Sequence, residues 1–130
     1  MANFPPADDS ALPAGARLGF YRINGELGRG GFGITYQAHD ARLDRLVVIK
    51  EFLPQDFAAR RGDYTVGPRS GSVAEAFQSG LDSFLKEAQT LARFNHPNIV
   101  PVLDFFKAKN GTAYLVMPFL PGETLAANLA

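Results

Sequence analysis

The 130 residues predict an α+β domain, a five-stranded antiparallel β-sheet with one long helix packed on it. Two observations carry that expectation. Strand-like runs occur three times before a single helical stretch and twice after it. The links inside each group are short and polar, as hairpin connections are, so sequential strands should pair antiparallel.

Residues 1–11 (MANFPPADDSA) mix Pro, Ala and Asp without period and predict a disordered tail. Phe20–Leu27, Ile34–His39 and Leu46–Phe52 read as the first three strands. Residues 54–71 form an irregular insertion with arginines at 60, 61 and 69; its Arg-Gly-Asp triplet is too short to carry information. Ser72 and Glu75 have the spacing of a capping box, which predicts a helix over about 73–94. Asn95-His96-Pro97 ends it, and Gly80 is the one position inside that could interrupt it. Val100–Lys107 and Thr112–Met117 read as two more strands, joined at Asn110-Gly111, a strong tight-turn signal. Pro118–Glu123 reads as a linker, and Thr124 as the cap of a final short helix.

Composition narrows the function. A formal net charge of zero gives no general attraction to nucleic acid or anionic membrane, so any phosphate binding must be local. The absence of cysteine excludes disulfides, thiolate zinc sites and a thiol nucleophile. No apolar run reaches spanning length and no signal-peptide pattern opens the chain, so a cytoplasmic location is the expectation.

The densest feature is Gly28-Arg29-Gly30-Gly31-Phe32-Gly33, four glycines in six positions. Glycine in regular structure costs about 0.5–1 kcal/mol per site, so something must require bare backbone here. An anionic ligand approached by main-chain N–H groups would do so, and a ligand-free flexible hairpin is the plain alternative. A dinucleotide loop is the third reading. It would place a helix after Gly33, whereas Ile34-Thr35-Tyr36 is strand-forming.

In Val47-Val48-Ile49-Lys50, strand alternation groups Val48 with Lys50, projecting an ammonium from an apolar surface. Such a lysine is usually only a solvated decoration. If this strand pairs with the one before it, Thr35 and Val48 form an apolar ceiling with Lys50 and the glycine loop at one end. On the helix, Phe77, Leu81, Phe84, Leu85, Ala88 and Leu91 share one arc, and Asp82, Lys86 and Arg93 lie opposite. Glu87 falls at the arc's edge, where a carboxylate either reaches water or meets a cation. Lys50 is the best cation for it.

Together these residues resemble the small, N-terminal lobe of a protein kinase. The resemblance rests on Leu27–Tyr36 (LGRGGFGITY), Val47–Lys50, Glu87, His96–Val100 (HPNIV) and Tyr114–Met117, and it covers about residues 12–130. The glycine-loop form is most similar to bacterial Ser/Thr kinases of the eukaryotic type. Residues 12–117 would be the lobe, and 118–130 the hinge and start of the next helix.

The resemblance implies a role for each residue. Leu27, Gly28, Arg29, Gly30, Gly31, Phe32 and Gly33 would cover the ATP phosphates, with Phe32 at the tip. Lys50 would hold the α- and β-phosphates and be positioned by Glu87. Thr35 and Val48, where the family usually has valine and alanine, would lie above the adenine. Met117 would be the gatekeeper, the Pro118 carbonyl and Leu120 N–H would meet the adenine edge, and Glu123 would face the ribose. Leu91 and Val102 would stack in the spine that links the lobes.

The same resemblance implies Mg2+ as second cofactor, with its ligands in a large lobe. Protein hydroxyls would accept the γ-phosphate of ATP. The 130 residues contain no H-R-D catalytic loop and no D-F-G, so this chain alone is expected to be inactive and part of a longer enzyme. An underside around Val48, Met117, Leu120 and Leu91 would then be uncovered, and the isolated lobe would self-associate. A non-catalytic regulatory module that kept the fold is the alternative from another class.

Overall fold

A computed structural model describes residues 10–93, 98 and 100–120. Their strands are β1 (Arg17–Leu18), β2 (Tyr21–Gly30), β3 (Gly33–Asp40), β4 (Arg45–Phe52), β5 (Ala58–Arg60), β6 (Val66–Pro68), β7 (Asp104–Lys107) and β8 (Ala113–Pro118). Helix α1 is Ala74–Ala92. Six strands form one antiparallel sheet in the order β1-β2-β3-β4-β8-β7, and β5 and β6 form a separate hairpin. The sheet therefore has one strand more than expected. The two-residue β1, paired with Arg22 and Tyr21, is too short to leave a period in the sequence.

The central strands are buried on both faces. Ile34, Tyr36, Ala38, Val47, Ile49, Glu51, Tyr114 and Val116 turn to one face; Thr35, Gln37, Val48, Lys50, Leu115 and Met117 turn to the other. The sheet curls about the first face until its ends are bridged by side chains. The Tyr21 hydroxyl donates to Asp104 Oδ2 at 2.9 Å, and the Tyr21 ring stacks on Phe106 at 6.0 Å.

Helix α1 lies on the Lys50 face. Phe52, two residues after Lys50, packs its ring on Phe77 at 5.9 Å and on Phe84 at 5.5 Å. Gly80 does not interrupt the helix. A Cβ there would stand 2.8 Å from Phe52 Cζ, so the glycine makes room for the ring. The helix start corrects the capping-box expectation. A 3-10 turn over Gly71–Val73 precedes α1, Val73 is the N-cap, and no side chain caps it. Ser72 lies inside that turn, its hydroxyl 2.8 Å from that of Ser70.

Two further expectations shift. The irregular insertion holds the β5–β6 hairpin, with Ala58, Ala59 and Arg60 paired to Pro68, Gly67 and Val66. The strand expected from Val100 begins at Asp104, because Pro101 has no N–H to contribute to a ladder. The expected tail over residues 1–11 is corrected at its end, because Ala11 is buried in the core at 3% exposure. Residues 1–9, the His96-Pro97 stop and the final helix from Thr124 lie outside the described residues.

Candidate functional site

Strands β2 and β3 form a hairpin that closes at Gly30 and Gly33, with Gly31 and Phe32 as its tip. Each glycine has a distinct surrounding. At Gly33, φ is +148°, and a Cβ would run into the Glu51 carbonyl and lie 2.5 Å from the Leu53 nitrogen. That glycine is required by the packing of β3 against the end of β4. At Gly28 and Gly31 a Cβ would meet nothing within 4 Å, and at Gly30 only the Phe32 ring at 3.6 Å. None of these three has a positive φ. Their bareness answers to nothing inside the described fold.

The neighbouring residues order this loop. Arg29 donates twice to the Glu26 carboxylate, both at 2.7 Å, and once to the Ser10 hydroxyl at 2.9 Å. The Phe32 carbonyl accepts from the Leu53 N–H at 2.8 Å, and the Phe32 ring lies 5.4 Å from the Lys50 ammonium. The loop tip thus folds over the lysine.

Lys50 stands opposite Thr35 on one side and Leu115 on the other, and Val48 stands between Gln37 and Met117. The two strands pair as expected, and the register sets Thr35 opposite Lys50 rather than opposite Val48. Leu27, Val102, Phe105 and Phe119 pack against the cluster of Val48, Ala88, Leu115 and Met117. Val48 and Met117 are therefore buried within the chain, at 2% and 7% exposure, which corrects the expectation that they lie uncovered. Pro118 ends β8 opposite Val47, and Pro118 and Leu120 are half-buried. Glu123 is outside the described residues.

Glu87 departs from the expectation in part. It is exposed on α1 and forms no contact ion pair with Lys50. Its neighbour Ala88 takes the buried position, which leaves Glu87 on the rim. The charge is nonetheless felt. Burial pushes the Lys50 ammonium below the ordinary lysine value, and Glu87 pulls it partly back. Removing that charge in Glu87→Gln should lower the Lys50 titration midpoint further, read from its 13Cε chemical shift against pH. An unchanged or higher midpoint would mean that Glu87 acts elsewhere.

Sequence reasoning missed the polar cluster on the opposite face. Glu51 has no exposed surface, and it accepts from the Tyr36 hydroxyl at 2.7 Å, the Tyr114 hydroxyl at 2.6 Å and Arg60 Nη2 at 2.5 Å. Arg60 Nε also donates to the Ser10 carbonyl at 2.8 Å, and Nη1 to the Tyr64 carbonyl at 3.1 Å. The signal was present in the alternation that singled out Lys50. A carboxylate one residue later in an apolar strand must face the other side.

Among the described residues, no group of three His, Asp or Glu side chains converges to hold a metal ion. No described helix is long and apolar enough to cross a membrane.

Comparison with known proteins places this geometry. The family described as protein kinase domain matches residues 21–130. The serine/threonine-protein kinase pkn3 of Myxococcus xanthus is 30% identical over 105 residues, 81% of this chain and 16% of that protein. The probable serine/threonine-protein kinase SCO3848 of Streptomyces coelicolor is 36% identical over 110 residues, 82% of this chain and 14% of that protein. The chain thus spans a small fraction of the length of the curated relatives it matches. The solved structure of the PpkA-294 apo form superposes with a TM-score of 0.82 at 42% identity, covering 92% of this chain and 43% of that one. The PknI kinase domain of Mycobacterium tuberculosis shares the fold at a TM-score of 0.58 and 20% identity, over 86% of this chain and 38% of that one.

Proposed function

The chain belongs to the protein kinase domain family, and from that membership we propose that its residues form the ATP-binding small lobe of a serine/threonine kinase. One observation carries this reading: Gly28, Gly30 and Gly31 are bare where the fold alone would admit side chains, beside a half-buried ammonium. Backbone amides that an anion can approach closely, backed by a lysine, suit the phosphates of a nucleotide. On the same side, half-buried Leu27 packs against the buried cluster of Val48 and Met117, which would back a base.

The division of labour is the one that family membership implies. The glycine tip would cover the phosphates, and Lys50 would neutralise and orient them. Thr35, paired with Lys50 across the strands, would lie above the adenine with Val48. The Pro118 carbonyl and Leu120 N–H would read the adenine edge, and Glu123 the ribose. Glu87 would steady Lys50 electrostatically from the rim of α1. Mg2+ would enter with the nucleotide and supply charge neutralisation of its phosphates, since the described residues offer no ligand set of their own. Phosphoryl transfer to protein hydroxyls needs in addition a catalytic base and metal-binding aspartate, which the 130 residues do not contain. That step is proposed for a longer polypeptide that carries both.

Mg-ATP titrated into the chain by calorimetry should bind saturably, and Lys50→Ala should weaken it. Losing a charge-assisted contact of about 1.5–3 kcal/mol corresponds to roughly 10–100-fold in Kd. Equal affinity in wild type and variant would remove Lys50 from the site. The missing Lys50–Glu87 contact favours a second reading, a regulatory module without chemistry. It would be supported by the absence of saturable nucleotide binding in the full-length protein.

A further inference from the structure

A large cavity of the described fold lies away from Lys50. It lies between the two ends of the curled sheet, on the face that carries Tyr36 and Tyr114, and it measures about 870 Å3. Its walls are apolar and aromatic: Leu12, Leu18, Phe20, Tyr21, Tyr64 and Phe106. Phe20 and Tyr64 are two of only four large hydrophobic residues exposed in the described chain, at 38% and 51%. Tyr64 is also held at φ +68°, where a bulky side chain is rare, and Arg60 fixes its carbonyl. An aromatic ring kept exposed at a strained backbone position is an outlier that points to use.

The rim is basic. Arg17, Lys107 and Lys109 line the opening, all exposed, and none forms an ion pair among the described residues. Asp104, the one carboxylate at the cavity, is already taken by the Tyr21 hydroxyl and the Phe105 N–H. The cavity is bounded by β1 and β7, the two edge strands, each paired on one side only. Three features therefore coincide: an apolar recess, unpaired cations around it, and free strand edges beside it.

We infer that this cavity is a docking site for an extended segment of a separate partner protein, with aromatic side chains flanked by Asp or Glu. The aromatic groups would enter between Phe20, Tyr64 and Phe106, and the carboxylates would meet Arg17, Lys107 and Lys109. The segment's backbone would add to a sheet edge, a recurring mode of peptide capture. A volume of this size suits a few side chains. An anionic membrane would satisfy the cations, but a flat surface cannot fill a recess between two strand edges.

The probe is a fluorescein-labelled octapeptide with two central phenylalanines between acidic triplets, followed by anisotropy with the 130-residue chain. Saturable binding is expected, weakened at least tenfold by the paired substitution Lys107→Glu and Lys109→Glu, and weakened by raising salt from about 50 to about 300 mM. Tyr64→Gly should weaken binding by a similar factor while leaving the melting temperature unchanged or higher, because glycine accepts that φ. A purely structural role for Tyr64 would give the reverse. Equal binding of a peptide with lysine in place of the acids would overturn the inference. So would equal displacement of the peptide by phosphatidylserine vesicles. A tenfold gain on deleting residues 1–9 would also overturn it, since the chain's own start would then be the occupant.

Discussion

Gly33→Ala is expected to destabilise the lobe by about 3 kcal/mol or more, lowering its melting temperature on the order of 10 °C. Two costs combine. The φ of +148° is strained for any L side chain, at about 1–3 kcal/mol, and the Cβ would strike the Glu51 carbonyl and crowd the Leu53 nitrogen. Both are backbone atoms of a strand end that cannot turn aside as a side chain would, so overpacking adds about 1–3 kcal/mol. Gly31→Val has the opposite profile. With nothing within 4 Å of its Cβ, it should shift stability by no more than about 1 kcal/mol. It should still weaken Mg-ATP binding several-fold, because the branched side chain blocks approach to the amides. Calorimetric melting and nucleotide titration on the two variants give the comparison. A Gly33→Ala protein that melts with wild type would show that the hairpin can move off β4. A Gly31→Val protein with full affinity would show that the bare tip does not face the nucleotide.

That contrast explains how far the sequence could be read. The density of glycine marked the loop, and the β-branched run after it located the loop in a hairpin. Nothing in the letters separates Gly33 from Gly31, because the difference lies in what β4 brings alongside. The same limit governs Glu87. Its position on the helical arc placed it at the edge of the apolar face, which is where α1 has it. Whether it then touches Lys50 depends on how far Phe52, Phe77 and Phe84 hold the helix from the sheet. Strand β1 escaped because two residues carry no period, and the capping box failed because a 3-10 turn displaced the helix start. The central strands were legible because apolar residues fill both of their faces. The docking cavity was not, since it is made by the meeting of two sheet ends far apart in the chain.

The insertion over residues 54–71 acquires its role from Arg60, and breaking that residue's contact should have the largest single effect on stability. Arg60→Met keeps the volume and strands the Glu51 carboxylate with no cation. Removing one partner of a buried pair costs about 3–5 kcal/mol, far above the worth of an exposed bridge. Glu51→Gln keeps an acceptor for only one of the Tyr36 and Tyr114 hydroxyls, which meet different carboxylate oxygens, and leaves the guanidinium stranded, so a loss of similar size or more is expected. The double variant leaves no buried charge. Its loss should fall short of the sum by about 2 kcal/mol or more, measured by urea unfolding of all four proteins. Additive losses would mean that the pair is incidental. The consequence reaches the nucleotide side through strand register. Glu51 follows Lys50 directly, so the anchor that holds the carboxylate inside the curl turns the ammonium outward to the glycine loop. A slip of one residue would bury the lysine and expose the carboxylate. Two tyrosines and an arginine from the insertion make that slip costly, and so fix which face of β4 meets the phosphates.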